Sequence, residues 1–288
     1  MQPFEMLEPR SLRKAAALLA TAGPAARPVA GGTAVMLMMK LGVLRPETLV
    51  SLAAVEKRYA KITAGADGGL RIGALATLRA LERSSAVKRR APVIAWTLRT
   101  LSNVRVRNVA TVGGHLAHGD PHMDLPPVLI ALGATLTTVT ATGGRTLPLE
   151  SFYKGYLETA LEPGELIAEI VVPPPGGRRA AYLKCTTRST DDWPALGVAV
   201  ALEAEGGAIR DARIVISAAT DVPTRLVNAE ATLRGATADD ATLARAADAA
   251  AAEAAVLGDA HGSAAYKREL LRVYLVRALR AALDKPVT

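Results

Sequence analysis

The sequence has a single cysteine, Cys185, in 288 residues. That excludes an internal disulfide, a cysteine-ligated zinc site and an iron-sulfur cluster held by this chain alone, since such clusters take about four thiolates. Aromatic residues are also scarce, at 3%, while hydrophobic residues reach 50%. Cores must therefore be mainly aliphatic, in a composition that is globular rather than disordered. Long apolar runs are missing too. Residues 125–144 carry no charge, but Pro126, Pro127, Gly133, Gly143 and five threonines break them, so a helix followed by a strand fits better than a membrane span. The first thirteen residues alternate polar and apolar and carry Glu5 and Glu8, unlike a signal peptide, which makes a cytoplasmic location the expectation.

What the chain has in excess is positive charge. Its 26 Arg and 9 Lys outnumber 27 acids, for a net +8. Residues 79–107 hold eight basic side chains and one acid, Glu82, a local +7. That segment reads as a solvated or interface surface, and an anionic ligand or partner deserves consideration. Nucleic acid is disfavoured, because the segment contains one aromatic, Trp96, and no recognisable binding motif. The length is about twice that of one domain, so two or three packed units are expected.

Ser11 can cap a helix ending at Gly23, and residues 27–30 read as a short strand. A Gly31-Gly32 turn follows, then Thr33 as the cap of a helix over 34–40. Strands are expected at 48–52, 59–64, 70–74, 135–140, 145–149 and 166–172, and helices at 77–83, 92–101 and 125–132. Pro173-Pro174-Pro175-Gly176-Gly177 is the clearest linker. Beyond it come three strands (180–187, 195–204, 209–218), then helices at 224–233, 239–256 and 263–283, an α+β order.

A phosphate needs converging backbone N–H groups, and glycine pairs let the backbone come close because no Cβ intervenes. Two such pairs exist, Gly31-Gly32 before Thr33 and Ala34, and Gly113-Gly114 in Ala110-Thr111-Val112-Gly113-Gly114. Their spacing matches neither the nicotinamide nor the ATP fingerprint. Two separated turns suit the two phosphates of a dinucleotide; two ordinary tight turns are the bland alternative. His115, His118, Asp120, His122 and Asp124 crowd into ten residues, either as a metal cluster or, more in keeping with Gly119 and Pro121, as a polar ligand-lining loop. Asp124 can cap the helix after it or accept from ligand hydroxyls. Trp193 enters a strand as a core plug or a stacking surface, and Cys185 reads as a small buried hydrophobe.

Ala30-Gly31-Gly32-Thr33, Arg107-Asn108-Val109-Ala110-Thr111-Val112-Gly113-Gly114, His118-Gly119-Asp120-Pro121 with Asp124-Leu125-Pro126-Pro127, and Ser263-Ala264-Ala265-Tyr266-Lys267-Arg268 together resemble the FAD-binding medium subunit of the molybdenum hydroxylase family. The resemblance implies a two-part FAD-binding domain of the vanillyl-alcohol-oxidase type, divided as 1–56 and 57–175. A C-terminal α+β domain over 176–288 follows, with a three-stranded sheet and a helix bundle. It places FAD phosphates between the two glycine pairs, with Ala30, Gly31, Gly32, Thr33, Ala34, Thr111, Gly113, Gly114, His115 and Asp120 around the cofactor. Asp124 would face the flavin or its ribityl chain, and Trp193 would take the place of an aromatic near the isoalloxazine ring. It implies no metal on this chain: the molybdenum-pterin cofactor would sit on a large subunit and 2Fe-2S clusters on a small one, in a dimer of heterotrimers. A stand-alone flavin oxidase or dehydrogenase, and a flavin-free scaffold docking an anionic partner, remain open from the residues alone. Gly32→Val or Gly113→Val is expected to abolish FAD retention while leaving the fold largely intact.

Overall fold

The structure is a computed structural model that describes residues 2–284. It opens with β1 (Glu5–Leu7), α1 (Leu12–Ala22), β2 (Ala26–Val29), α2 (Thr33–Lys40) and β3 (Thr48–Ser51). The three strands form a parallel sheet with β3 in the middle. Parallel strands need crossovers, which α1 and α2 supply. Ser11 does cap α1, accepting from the Lys14 amide, and Leu12, Ala15, Ala16 and Leu19 form its buried stripe. The strand β1 was not expected: only three residues long, it is too short to declare a period. The cap of α2 is Gly32, in the left-handed region at φ +71°, and Thr33 is its first helical residue rather than its cap.

Next come β4 (Ile62–Ala64), β5 (Leu70–Gly73), α3 (Leu78–Arg83), α4 (Ser85–Arg90), α5 (Pro92–Thr100), α6 (Val104–Val109), α7 (Val112–Ala117), α8 (Leu125–Ala131), β6 (Thr135–Val139), β7 (Thr146–Pro148), β8 (Tyr153–Gly155), β9 (Glu158–Thr159) and β10 (Leu166–Val172). Five of these strands make an antiparallel sheet in the order β4-β5-β10-β6-β7, with β8 and β9 as a separate ribbon. The last strand, β10, inserts at the centre, which accounts for its nearly continuous apolar sequence. The short helices bury Leu78, Leu81, Ile94, Leu98, Leu116 and Leu129 against Leu70, Ile72, Leu136 and Ile170 of that sheet.

The remainder is β11 (Arg179–Thr186), β12 (Pro194–Glu205), β13 (Ala208–Ser217), β14 (Thr224–Arg225), α9 (Val227–Leu233), α10 (Asp240–Glu253) and α11 (Ala264–Leu283). The expected three-stranded sheet is four-stranded, in the order β11-β12-β13-β14. Thr224 and Arg225, assigned to a helix from the sequence, instead pair with β13, and the helix begins at Val227. Asp239 and Ser263 cap α10 and α11 through bonds from the Thr242 and Tyr266 amides. One sheet face packs Val198, Val200, Ile214 and Ile216 on Leu243, Leu271, Leu275 and Leu279 of the helices. The other face sends Ala199, Ala201 and Val215 into the core around α8. Being covered on both faces, β12 is buried over nine consecutive residues instead of alternating.

Candidate functional site

The two glycine pairs turn out to be physically different. At Gly31-Gly32 the chain leaves β2 and enters α2, and the first helical bond is donated by Met36 to the Gly32 carbonyl. Among the described residues, the amides of 31–35 find no acceptor in the protein. Five consecutive N–H groups at the positive end of a helix suit an anion such as a phosphate. Gly31 also has to be glycine: a Cβ there would lie 2.0 Å from the Val109 carbonyl oxygen, so this residue carries the first sheet's turn against the end of α6. A cleft runs beside the contact, lined by Ala30, Gly31, Leu52, Val109 and Thr111 among others.

The second pair is not a turn. Gly113 and Gly114 lie inside α7, capped by Thr111, whose hydroxyl accepts from the Gly114 amide at 3.2 Å. Val112 donates to Ala76, Gly113 to Ala74 at 2.7 Å, and His115 to Thr111. These amides are spent within the chain, so a cradle of free N–H groups exists at the first pair only. The missing Cβ of Gly113 serves packing, since one would sit 2.6 Å from the Ala74 methyl and 2.9 Å from its carbonyl oxygen. His115, one turn in, has a buried Nε2 without a partner. Burial, helped by His118, pushes its pKa down to about 4, so it is a neutral imidazole with hydrogen-bonding capacity unspent.

Asp124 heads α8 but makes no capping bond. Its carboxylate is taken instead by β11: Tyr182 donates to Oδ1 at 2.5 Å and Lys184 to Oδ2 at 3.0 Å. Burial pushes the Asp124 pKa up, against the pull of Lys184 and Tyr182. The same ammonium donates to the Thr100 carbonyl at 2.8 Å and to the Asp192 carbonyl at 3.1 Å. One buried cation thereby joins α5, α8, β11 and the segment leading to Trp193.

Trp193 is no core plug. It is 47% exposed and stacks on His122, with ring centroids 5.3 Å apart and planes at 11°. His122 bonds to Asp120 through Nδ1 at 3.0 Å and to Asp259 through Nε2 at 2.9 Å. Asp259 in turn accepts from the buried Lys267 of α11 at 2.7 Å. The histidine and aspartate run of the sequence is thus split three ways: Asp120 and His122 pair with each other, Asp124 faces β11, and His115 lies in α7. Tyr182, Lys184 and Asp259 were not singled out from the sequence; each lies 58 or more residues from its partner, and no local spacing could have found them. Arg107, counted in the basic segment, is buried and structural, bonding Glu82 at 3.1 Å and the carbonyls of Leu101 and Ser102. Arg83, Lys88, Arg89, Arg90, Arg99 and Arg105 remain exposed.

Residues 2–175 match the family described as the FAD binding domain in molybdopterin dehydrogenase, and residues 181–282 match the CO dehydrogenase flavoprotein C-terminal domain. The carbon monoxide dehydrogenase medium chain of Afipia carboxidovorans is 33% identical over 97% of this chain and 96% of its own. The glyceraldehyde dehydrogenase medium chain of Sulfolobus acidocaldarius is 31% identical over 88% and 89%. Among solved structures, a carbon monoxide dehydrogenase from Hydrogenophaga pseudoflava that lacks the Mo-pyranopterin moiety of its cofactor superposes with a TM-score of 0.94 at 35% identity, covering 98% of this chain and 99% of that one. Quinoline 2-oxidoreductase from Pseudomonas putida 86 gives 0.92 at 28% identity, covering 98% and 97%. These matches define a flavoprotein subunit of an oxidoreductase. The chain belongs to the FAD-binding medium subunits of the molybdenum hydroxylase family.

Proposed function

We propose that this chain is the electron-exit subunit of a molybdenum hydroxylase complex, with FAD held by the amides of residues 31–35. That row of acceptorless N–H groups at the head of α2 is the observation that carries the reading. Ala30, Gly31, Gly32, Thr33 and Ala34 bring backbone to the pyrophosphate; Gly114 offers an exposed backbone with no side chain, Thr111 a hydroxyl, and His115 an unpartnered nitrogen. Asp120 acts through His122, and Asp124 acts through Lys184 on the segment that ends at Trp193, the aromatic assigned to the isoalloxazine face. Gly113 contributes packing of α7 on Ala74.

FAD held there would supply the redox chemistry between 2Fe-2S clusters of a small partner subunit and an external acceptor, while this chain binds and orients it. The molybdenum-pterin cofactor belongs to a large partner subunit, and the assembly is a dimer of heterotrimers in the cytoplasm. The reading takes 1–56 and 57–175 as the two halves of a vanillyl-alcohol-oxidase-type FAD domain and 176–288 as the C-terminal domain. Membership of the family, and relatives named as medium chains of dehydrogenases, support this division of labour. Among the described residues no helix is long and apolar enough to cross a membrane. The test is a visible spectrum of the purified chain before and after chemical reduction, with the released chromophore identified by chromatography. Bound FAD that bleaches is expected; a colourless chain that takes up no added FAD overturns the reading.

A further inference from the structure

Both ring nitrogens of His122 point at carboxylates, Nδ1 at Asp120 and Nε2 at Asp259. A neutral imidazole has one N–H and one lone pair, so only the imidazolium can donate to both. Its face lies parallel to the indole of Trp193 at 5.3 Å, an arrangement that attracts a cation to an aromatic ring. We propose that His122 is a positioning residue for Trp193: its imidazolium, gripped by Asp120 and Asp259, holds the indole in place, and loss of that proton releases it.

The segment carrying Trp193 has few other holds. It joins β11 to β12, its residues 187–191 are exposed, its amides at Asp192 and Trp193 bond only within the segment, and its main chain is tied to β11 by the bond from Lys184 to the Asp192 carbonyl and by the pairing of Pro194 with Thr186. The groups around His122 come from four places. Asp120 on its own segment and Asp259 on the loop before α11 bond the ring, His261 of that loop lies against it, and behind them His118 acts on Asp120, Lys267 of α11 on Asp259, and Asp192 of the Trp193 segment on His261. His261 sits 5.4 Å away with its ring tilted by 52°. Burial opposes charge on His122, but the bonds and charges of Asp120 and Asp259 outweigh it, and its pKa lies above the ordinary histidine value. Lys267 neutralises part of Asp259 without touching the imidazole. The latch joins the α7–α8 segment to the C-terminal helices, so Trp193 is fixed relative to both.

Its relevance to electron transfer rests on the reading that Trp193 lies beside FAD; the latch itself does not, and the test separates them. In the FAD-free full chain with Trp96→Phe, Trp193 is the only indole, and a stacked imidazolium quenches its emission. Emission is followed from about pH 5 to pH 9, a range that spans the histidine titration. The expected result is a rise with its midpoint above about 6.5, absent in His122→Gln and moved down by about one unit or more in Asp259→Asn. If Trp96→Phe fails to fold, subtracting the Trp193→Phe signal from that of the unaltered chain isolates the same emission. A flat profile, or a transition that persists in His122→Gln, overturns the latch. FAD uptake by the unaltered chain is measured alongside: uptake with a flat profile sinks the latch alone, and a latch without uptake sinks the flavin assignment alone.

Discussion

Lys184 of β11 and Asp124 at the head of α8 form a buried ion pair, 3.0 Å apart, in which each side chain is 6% exposed. The pair joins the C-terminal sheet to the helices of the preceding sheet, and through the Asp192 carbonyl it anchors the segment before Trp193. Removing one member leaves the other buried and uncompensated. Lys184→Met is expected to cost about 3–5 kcal/mol, read as a lower urea midpoint, and Lys184→Met with Asp124→Asn to recover part of that loss. A single variant as stable as the unaltered chain contradicts this role.

Arg107 belongs to the most basic segment of the sequence, yet it works as a strut. Its guanidinium bonds Glu82 and the carbonyls of Leu101 and Ser102, and Ser102 itself sits in the left-handed region at φ +55°. Arg107→Met strands these acceptors and should destabilise by about 3 kcal/mol in chemical denaturation. Arg107→Lys should rescue little, because an ammonium cannot reproduce the planar fork.

The glycine pairs separate by experiment. Gly113→Val drives a side chain into Ala74 and is expected to lose about 3 kcal/mol or more, a stability cost that the sequence alone did not signal. Gly32→Val meets only the Met36 and Val29 side chains at 3.4 and 3.5 Å, with a left-handed φ costing about 1–2 kcal/mol. Thermal melts of the two variants should differ in that order.

The clamp around His122 has a pH window. Asp259, whose burial is outweighed by its bonds to Lys267 and His122, is lowered to about 2. Its contribution is present above the ordinary aspartate value near 3.9 and is lost as pH falls towards that folded pKa. His122 is shifted upward, so its contribution is complete below about 6.5 and disappears as pH rises through its folded pKa. The stability difference between the unaltered chain and His122→Gln should therefore be largest from about pH 4 to 6.5 and shrink on either side. A difference independent of pH contradicts the charged clamp.

Elements with local signals were legible in the sequence. Ser11 acts as the cap the sequence suggests, the helix starts near Asp239 and Ser263 hold, and the Pro173–Gly177 stretch lies between β10 and β11, whereas Thr33 and Asp124 make no capping bond. What failed were features fixed by distant packing. Gly113 and Gly114 read as a turn because glycine favours turns, but tertiary contact with Ala74 demands a glycine inside a helix. The two residues of β14 pair only because β13 offers an edge. The geometry at the first glycine pair was legible, since strand, glycine pair and helix start are contiguous. The Trp193–His122–Asp259–Lys267 cluster was not, because His122 and Asp259 are 137 residues apart.

The most direct test of the central claim is an FAD titration of Gly32→Val against the unaltered chain, with a far-UV circular dichroism melt of each. The account predicts a cooperative melt in both and flavin retention in the unaltered chain only, because the new side chain occupies the approach to the amides of residues 31–35. Full flavin occupancy in folded Gly32→Val would contradict it.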